Sequence, residues 1–128
     1  MPQTDPWRTA PPRVGRFAYA APYRPRPAYR FAVEDSVYVK PDGARRGYGR
    51  RLVSDLVERC TALGHRQMVA VIGDRGNAGS IGLHASLGFR EIGCLPSVGF
   101  KHGRWVDVVL MQLALGPGDT TLPDEPAI

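Results

Sequence analysis

The sequence predicts an α/β domain with a mixed sheet, in the order β-β-α-β-α-β-β. Three observations predict it. Alternating apolar runs lead up to Val39 and Pro41, two later segments repeat apolar residues at helical spacing before a glycine, and two long apolar runs after Gly88 flank a glycine turn. The length of 128 residues suits one domain able to build its own core.

Residues 1–16, MPQTDPWRTAPPRVGR, show neither a helical nor a strand period. Pro2, Pro6, Pro11, Pro12, Pro22, Pro25 and Pro27 crowd this end of the chain, so 1–16 reads as a Pro-rich, disordered tail. RPRP at 24–27 reads as a loop between strands rather than a polyproline ligand. The domain proper then covers 17–115. RFAYAAPY is a short strand cut by Pro22, and YRFAVEDSVYV a second strand ending at Pro41. Leu52, Val53, Leu56, Val57, Cys60 and Leu63 lie on one helical stripe that Gly64 stops. QMVAVI lacks helical polarity and predicts a buried parallel strand, with turn residues GDRGN behind it. A shorter helix is expected over Ser80–Leu87, capped by Ser80, with Ile81, Ala85 and Leu87 inward. FREIGCL and RWVDVVLMQLAL complete the sheet as strands joined by a hairpin-like turn around Gly103. Residues 116–128, GPGDTTLPDEPAI, read as a disordered tail.

Charge and cysteine usage narrow the class. A net charge of +5 admits an anionic partner. Nucleic acid is not expected, because only Tyr48 interleaves the arginine cluster with a stacking aromatic. Cys60 and Cys94 sit within apolar patterns, so buried thiols and a reducing, cytoplasmic setting are expected rather than a disulfide scaffold. No apolar run is long enough to span a bilayer, so no membrane is expected. His65, His84 and His102 share no ligand spacing with one another or with the cysteines; no metal is expected.

RRGYGR at 45–50 stands at the start of the first predicted helix. A helix N-terminus offers unpaired N–H groups and the positive end of its dipole, and glycines let a phosphate approach the backbone. The Lys-Ser or Lys-Thr pair of a P-loop and the third glycine of a dinucleotide fingerprint are both absent. The residues alone leave a tight turn and an anion cradle open.

Three stretches, AYRFAVEDSVYVKPDGARRGYGRRL, ALGHRQMVAVIGDRGNAGSIGLHASLGF and LPSVGFKHGRWVDVVLMQLAL, follow one another in an order that resembles the C-terminal part of GNAT acyltransferases, within their phosphinothricin acetyltransferase-like branch. The resemblance implies a truncated GNAT fold and an acetyl-CoA-dependent N-acetyltransferase. Its acceptor would be a small amino-acid-like amine of the phosphinothricin or methionine-derivative type. By that resemblance Val37, Tyr38 and Val39 offer backbone groups to pantetheine. Arg45, Arg46, Gly47, Tyr48, Gly49 and Arg50 cradle the pyrophosphate, and Asn77 contacts the coenzyme. Glu34 matches the base that deprotonates the acceptor ammonium, which needs a carboxyl raised by partial burial. His84 falls where the branch carries a histidine that returns a proton to the leaving thiolate. Read without the resemblance, His84 fills a half-buried groove and Asn77 is a turn or cap residue. Arg30, within YRPRPAYR, is a candidate for the acceptor's carboxylate, and His65 and His102 read as surface loop residues.

The sequence departs from the pattern at Ala44 and Gly79, and nothing before Phe17 matches the family's first strands and two helices. A partial domain of this kind is expected to expose a sheet edge and an apolar face, and so to self-associate; relatives suggest a homodimer. The alternative function is an inactive relic that binds coenzyme A without turnover.

Overall fold

The structure is a computed structural model and describes residues 16–39, 47–74 and 76–124. Arg45 and Arg46, the rest of the Pro-rich tail and the last four residues lie outside the described residues. Seven main elements follow the expected order: β1 (Arg16–Pro22), β2 (Ala32–Val39), α1 (Tyr48–Ala62), β3 (Gln67–Gly73), α2 (Ala78–Ser86), β4 (Arg90–Lys101) and β5 (Arg104–Ala114). The strands form one sheet in the order β1-β2-β3-β5-β4. Only β2 and β3 run parallel; the other three pairs are antiparallel. The mixed sheet follows from the connections, since α1 is the crossover that a parallel neighbour requires.

Strand alternation sorts the sheet into two faces. Val33 of β2, Met68, Ala70 and Ile72 of β3, and Val109 and Met111 of β5 are buried and share a cluster with Val53 and Cys60 of α1. Leu56 and Val57 of α1 and Ile81, Leu83 and Leu87 of α2 pack against the same cluster. Among the described residues, both helices therefore lie on one face. QMVAVI is the parallel strand expected, β3, and its burial alternates: Met68, Ala70 and Ile72 are buried, while Val71 on the other face is 41% exposed.

Local chemistry sets the ends. Gly47 caps α1 in the left-handed region, φ 75°, a conformation that costs little only for glycine. Leu63, expected on the inward stripe, is the C-cap residue and is 69% exposed, because the helix has already ended at Ala62. Asn77, not Ser80, caps α2: its side chain accepts the Ser80 N–H at 3.2 Å, so the helix starts two residues before the expected position. Ala85, also expected inward, is exposed; the inward stripe runs through His84 instead. The β4–β5 hairpin turns on His102 and Gly103, both at positive φ, between the paired residues Lys101 and Arg104. Two such residues in a two-residue loop make the turn whose twist matches the strands.

The described part of the C-terminal segment, residues 116–124, forms turns against the domain. Arg66 donates to the carbonyls of Gly118 at 2.7 Å and Thr121 at 3.0 Å, and Gly118 is buried. An arginine with several donors thus folds the segment into turns against the start of β3. His65, expected on the surface, is half-buried, and burial lowers its pKa. Cys60 is buried as expected, whereas Cys94 is partly exposed; both are free thiols.

Candidate active site

The parallel pairing of β2 and β3 runs from Ala32 opposite Gln67 to Asp35 opposite Ala70 and stops there. Both strands continue, β2 to Val39 and β3 to Gly73, but they part. On its other side β2 remains paired with β1 as far as Val39. Among the described residues, the backbone edge of 36–39 that would face β3 therefore has no strand partner. A cleft of about 200 Å³ occupies the gap, lined by Asp35, Ser36 and Val37 of β2, residues 70–73 of β3, and Asn77, Ser80 and His84 of α2 and its cap. Polar backbone edges that line a cleft rather than a ladder are free to bind an extended ligand.

The two acids of β2 take opposite faces. Asp35 is 5% exposed and points beneath α2, where its Oδ2 lies 2.7 Å from His84 Nε2. The other ring nitrogen, Nδ1, donates to the Ser80 carbonyl at 2.8 Å, and the ring stands edge-on to Phe89 with centroids 4.9 Å apart. Burial disfavours charge on His84 most strongly, but the hydrogen bond and charge of Asp35, with the Ser80 carbonyl, together raise its pKa. Glu34 faces the other way and is half-buried. Burial raises its pKa, the neighbouring Asp35 charge raises it further, and Arg24 pulls it back. A carboxyl lifted in this way takes protons more readily near neutrality than a solvated one.

The helix starts complete the site. Gly47 provides no side-chain cap for α1, and no acid lies in its first turn, so the dipole end presents itself without a competing carboxylate. Gly49 is buried in the first turn. Arg50 does not point freely from that turn: its guanidinium donates to Ser86 Oγ at 3.2 Å and Ser86 O at 3.5 Å, which ties α1 to the end of α2. Asp74, at φ 78°, accepts the Gly76 N–H at 3.0 Å and Arg104 at 2.7 Å, while its carbonyl accepts the Asn77 N–H. That turn fixes where α2 begins.

The structure thus brings Val37, Asn77 and His84 to one cleft, leaves Glu34 on the opposite face of β2 beside the cleft-lining Asp35, and places Gly47, Tyr48, Gly49 and Arg50 at the start of α1. Arg30 is not among the residues that line the cleft: it closes the turn of residues 27–29 ahead of β2, beside Phe31, whose carbonyl accepts from Arg66 and Gln67. Its guanidinium bonds the Pro27 carbonyl at 2.6 Å and stacks on Phe31. His84 lines the cleft with both ring nitrogens engaged and is 2% exposed. Sequence reading missed Asp35 and Arg24. Asp35 follows Glu34 in a strand, and alternation alone could have placed it on the helix-covered face.

A family model described as the acetyltransferase (GNAT) family matches residues 14–89, more than half of the sequence. The chain belongs to the GNAT family. It is 56% identical over 108 residues to a phosphinothricin N-acetyltransferase from Alcaligenes faecalis, an alignment covering 84% of this chain and 55% of that protein. It is 48% identical to an L-methionine sulfoximine/L-methionine sulfone acetyltransferase from Pseudomonas paraeruginosa, covering 79% of this chain and 58% of that one. Among solved structures, a GNAT phosphinothricin acetyltransferase from Sinorhizobium meliloti in complex with acetyl-CoA superposes with a TM-score of 0.82 at 52% identity. That match covers 86% of this GNAT chain and 59% of the solved one. The chain therefore spans little more than half the length of these relatives.

Proposed function

We propose that this protein is an N-acetyltransferase that transfers acetyl from acetyl-CoA to the amine of a small amino-acid-like acceptor, of the phosphinothricin or methionine-derivative type. The observation that carries the reading is the parting of β2 and β3 after Asp35 and Ala70, beside a half-buried carboxylate with a raised pKa. Pantetheine would run along the free backbone edge of Val37, Tyr38 and Val39. The pyrophosphate would rest on the first turn of α1 at Gly47, Tyr48 and Gly49, with Arg45 and Arg46 adding charge from outside the described residues. Asn77 would contact the coenzyme at the start of α2.

In this reading Glu34 accepts the proton of the acceptor ammonium, directly or through a water, because only the neutral amine attacks. The amine nitrogen bonds to the thioester carbonyl carbon, a backbone N–H of residues 37–39 steadies the oxyanion, and the C–S bond then breaks. The leaving thiolate takes up a proton. Arg24, close enough to Glu34 to act on its charge, is suited to hold the acceptor's acidic group. Most of the rate gain must come from holding amine and thioester together, so a full acceptor pocket matters as much as the base. Free thiols at Cys60 and Cys94 support a cytoplasmic setting. No helix among the described residues is long and apolar enough to cross a membrane.

The test is calorimetric titration with acetyl-CoA, then thiol release over a panel of amino-acid amines that includes phosphinothricin and methionine sulfoximine. Binding with turnover on one of them is expected. Failure to bind acetyl-CoA would sink the reading, and binding without turnover would sink the catalytic part of it.

A further inference from the structure

We propose that Asp35 is a positioning residue for coenzyme binding: with His84 it forms a proton-dependent clasp that holds α2 across the point where β2 and β3 part. This inference deepens the acetyl-CoA reading above and rests on it.

The clasp follows from counting donors. His84 lies between two acceptors, the Ser80 carbonyl at 2.8 Å from Nδ1 and Asp35 Oδ2 at 2.7 Å from Nε2. A neutral imidazole carries one N–H, so beside an ionised Asp35 it can satisfy only one of them. The other ring nitrogen would then aim a lone pair at an oxygen. One additional proton, on Nε2 or on Oδ2, satisfies both contacts. Each side chain is 2% exposed, so bulk water is poorly placed to substitute for the lost bond. Phe89 fixes the plane of the ring.

Position gives the clasp its consequence. Asp35 is the last residue of β2 that pairs with β3. His84 lies on α2, whose cap Asn77 and first-turn Ser80 line the cleft opposite Ser36 and Val37. The bond between Asp35 and His84 therefore ties the two walls of the cleft together at its apex. The groups that bear on it are Glu34 beside Asp35 on β2 and Cys60 on α1, whose thiol the Asp35 charge raises after burial. Ala70 of β3 and Phe89 before β4 carry no charge, Arg90 and Glu91 of β4 are exposed, and Arg50 of α1 meets α2 at Ser86. The hydrogen bond and charge of Asp35 raise the pKa of His84 against the effect of burial, the direction that favours the additional proton. At alkaline pH the proton leaves, the two walls lose their tie, and the coenzyme meets a looser cleft.

Asp35→Asn separates this role from plain packing. The amide can donate to Nε2 of a neutral ring while Nδ1 keeps its bond to Ser80, so the clasp closes without the additional proton. The experiment titrates the full chain with acetyl-CoA at about pH 7 and about pH 9.5, for the unaltered protein, Asp35→Asn and Asp35→Ala, with hydrogen exchange of the α2 amides measured alongside. Affinity of the unaltered protein should fall roughly tenfold over that range. Asp35→Asn should hold its affinity, and Asp35→Ala should bind weakly at both pH values. An equal fall in the unaltered protein and Asp35→Asn, or no fall in either, would overturn the proposal. If the unaltered protein binds no acetyl-CoA at about pH 7, the coenzyme reading fails and with it the positioning role. The clasp alone is then upheld by pH-dependent protection of α2 that Asp35→Asn abolishes, and overturned by its absence.

Discussion

Glu34 and Asp35 are adjacent in β2 yet serve opposite faces of the sheet: the Asp35 carboxylate lies 2.7 Å from His84 under α2, while Glu34 takes the other face, where the charge of Arg24 reaches it. One carboxyl is held by a buried partner; the other is half-buried and open to take a proton. Substitution of Glu34 by Gln should therefore leave acetyl-CoA affinity within about twofold and lower kcat by roughly a hundredfold or more, the usual share of a general base. Calorimetry and a thiol-release assay read the two quantities separately. Because the base acts as the carboxylate and its pKa is raised, kcat/KM should climb with pH along a limb above the ordinary carboxyl range, and Glu34→Gln should flatten that limb.

Folding stability should carry the signature of His84. Its folded pKa is raised above the unfolded value of about 6.5, so its contribution is fully present below that pH and is lost as pH rises through the folded value. Urea unfolding should show stability declining from about pH 6.5 upward, and His84→Gln should remove that slope. A decline of equal steepness in the variant would assign it to other groups.

At the start of α2, Asn77→Ala removes the acceptor for the Ser80 N–H and should cost about 1 kcal/mol of stability. Because Asn77 also lines the cleft, acetyl-CoA affinity should fall further than stability alone requires. Asn77→Ser, which can still cap, should restore the melting temperature more than the affinity; equal recovery of both would reduce Asn77 to a cap.

Gly47→Ala tests the other helix start. Among the described residues a Cβ there would touch nothing within 4 Å, so the cost is that of forcing alanine to a φ near 75°, about 1 kcal/mol. A larger loss in acetyl-CoA affinity than in stability would identify Gly47 with the anion cradle. An unchanged affinity would leave RRGYGR a turn.

Much of this architecture was legible in the sequence because each element carries its own period or stop. β2 alternates, α1 has one apolar stripe, and His102-Gly103 can adopt only a narrow set of turns. What escaped lies in relations between elements. That β2 and β3 part after Asp35 depends on register, which no local pattern encodes. The proposed role of Glu34 rests on family resemblance, whereas Asp35 needed its partner 49 residues away to acquire meaning. The place of Arg30 escaped for the same reason: nothing within YRPRPAYR shows that it closes a turn ahead of β2 rather than lining the cleft. The C-terminal turns depend on Arg66, a residue with no sequence signal of its own.

The last prediction concerns the edge of the sheet. Ile92, Leu95, Val98 and Phe100 of β4 and Trp105 of β5 are between 45% and 65% exposed, and Phe100 stacks edge-on with Trp105 at 5.1 Å. Among the described strands β4 pairs with β5, which makes it an edge strand of the sheet. A long exposed edge with apolar side chains is a template for association. The chain should therefore form dimers or larger species as its concentration rises in sedimentation velocity. Val98→Lys with Phe100→Lys should shift it toward monomer, because charges on an edge strand oppose edge-to-edge pairing while the hairpin turn and the buried Val106 and Val109 stay untouched. A chain that is monomeric at all concentrations, or a variant that associates as before, would place the apolar strand outside any assembly.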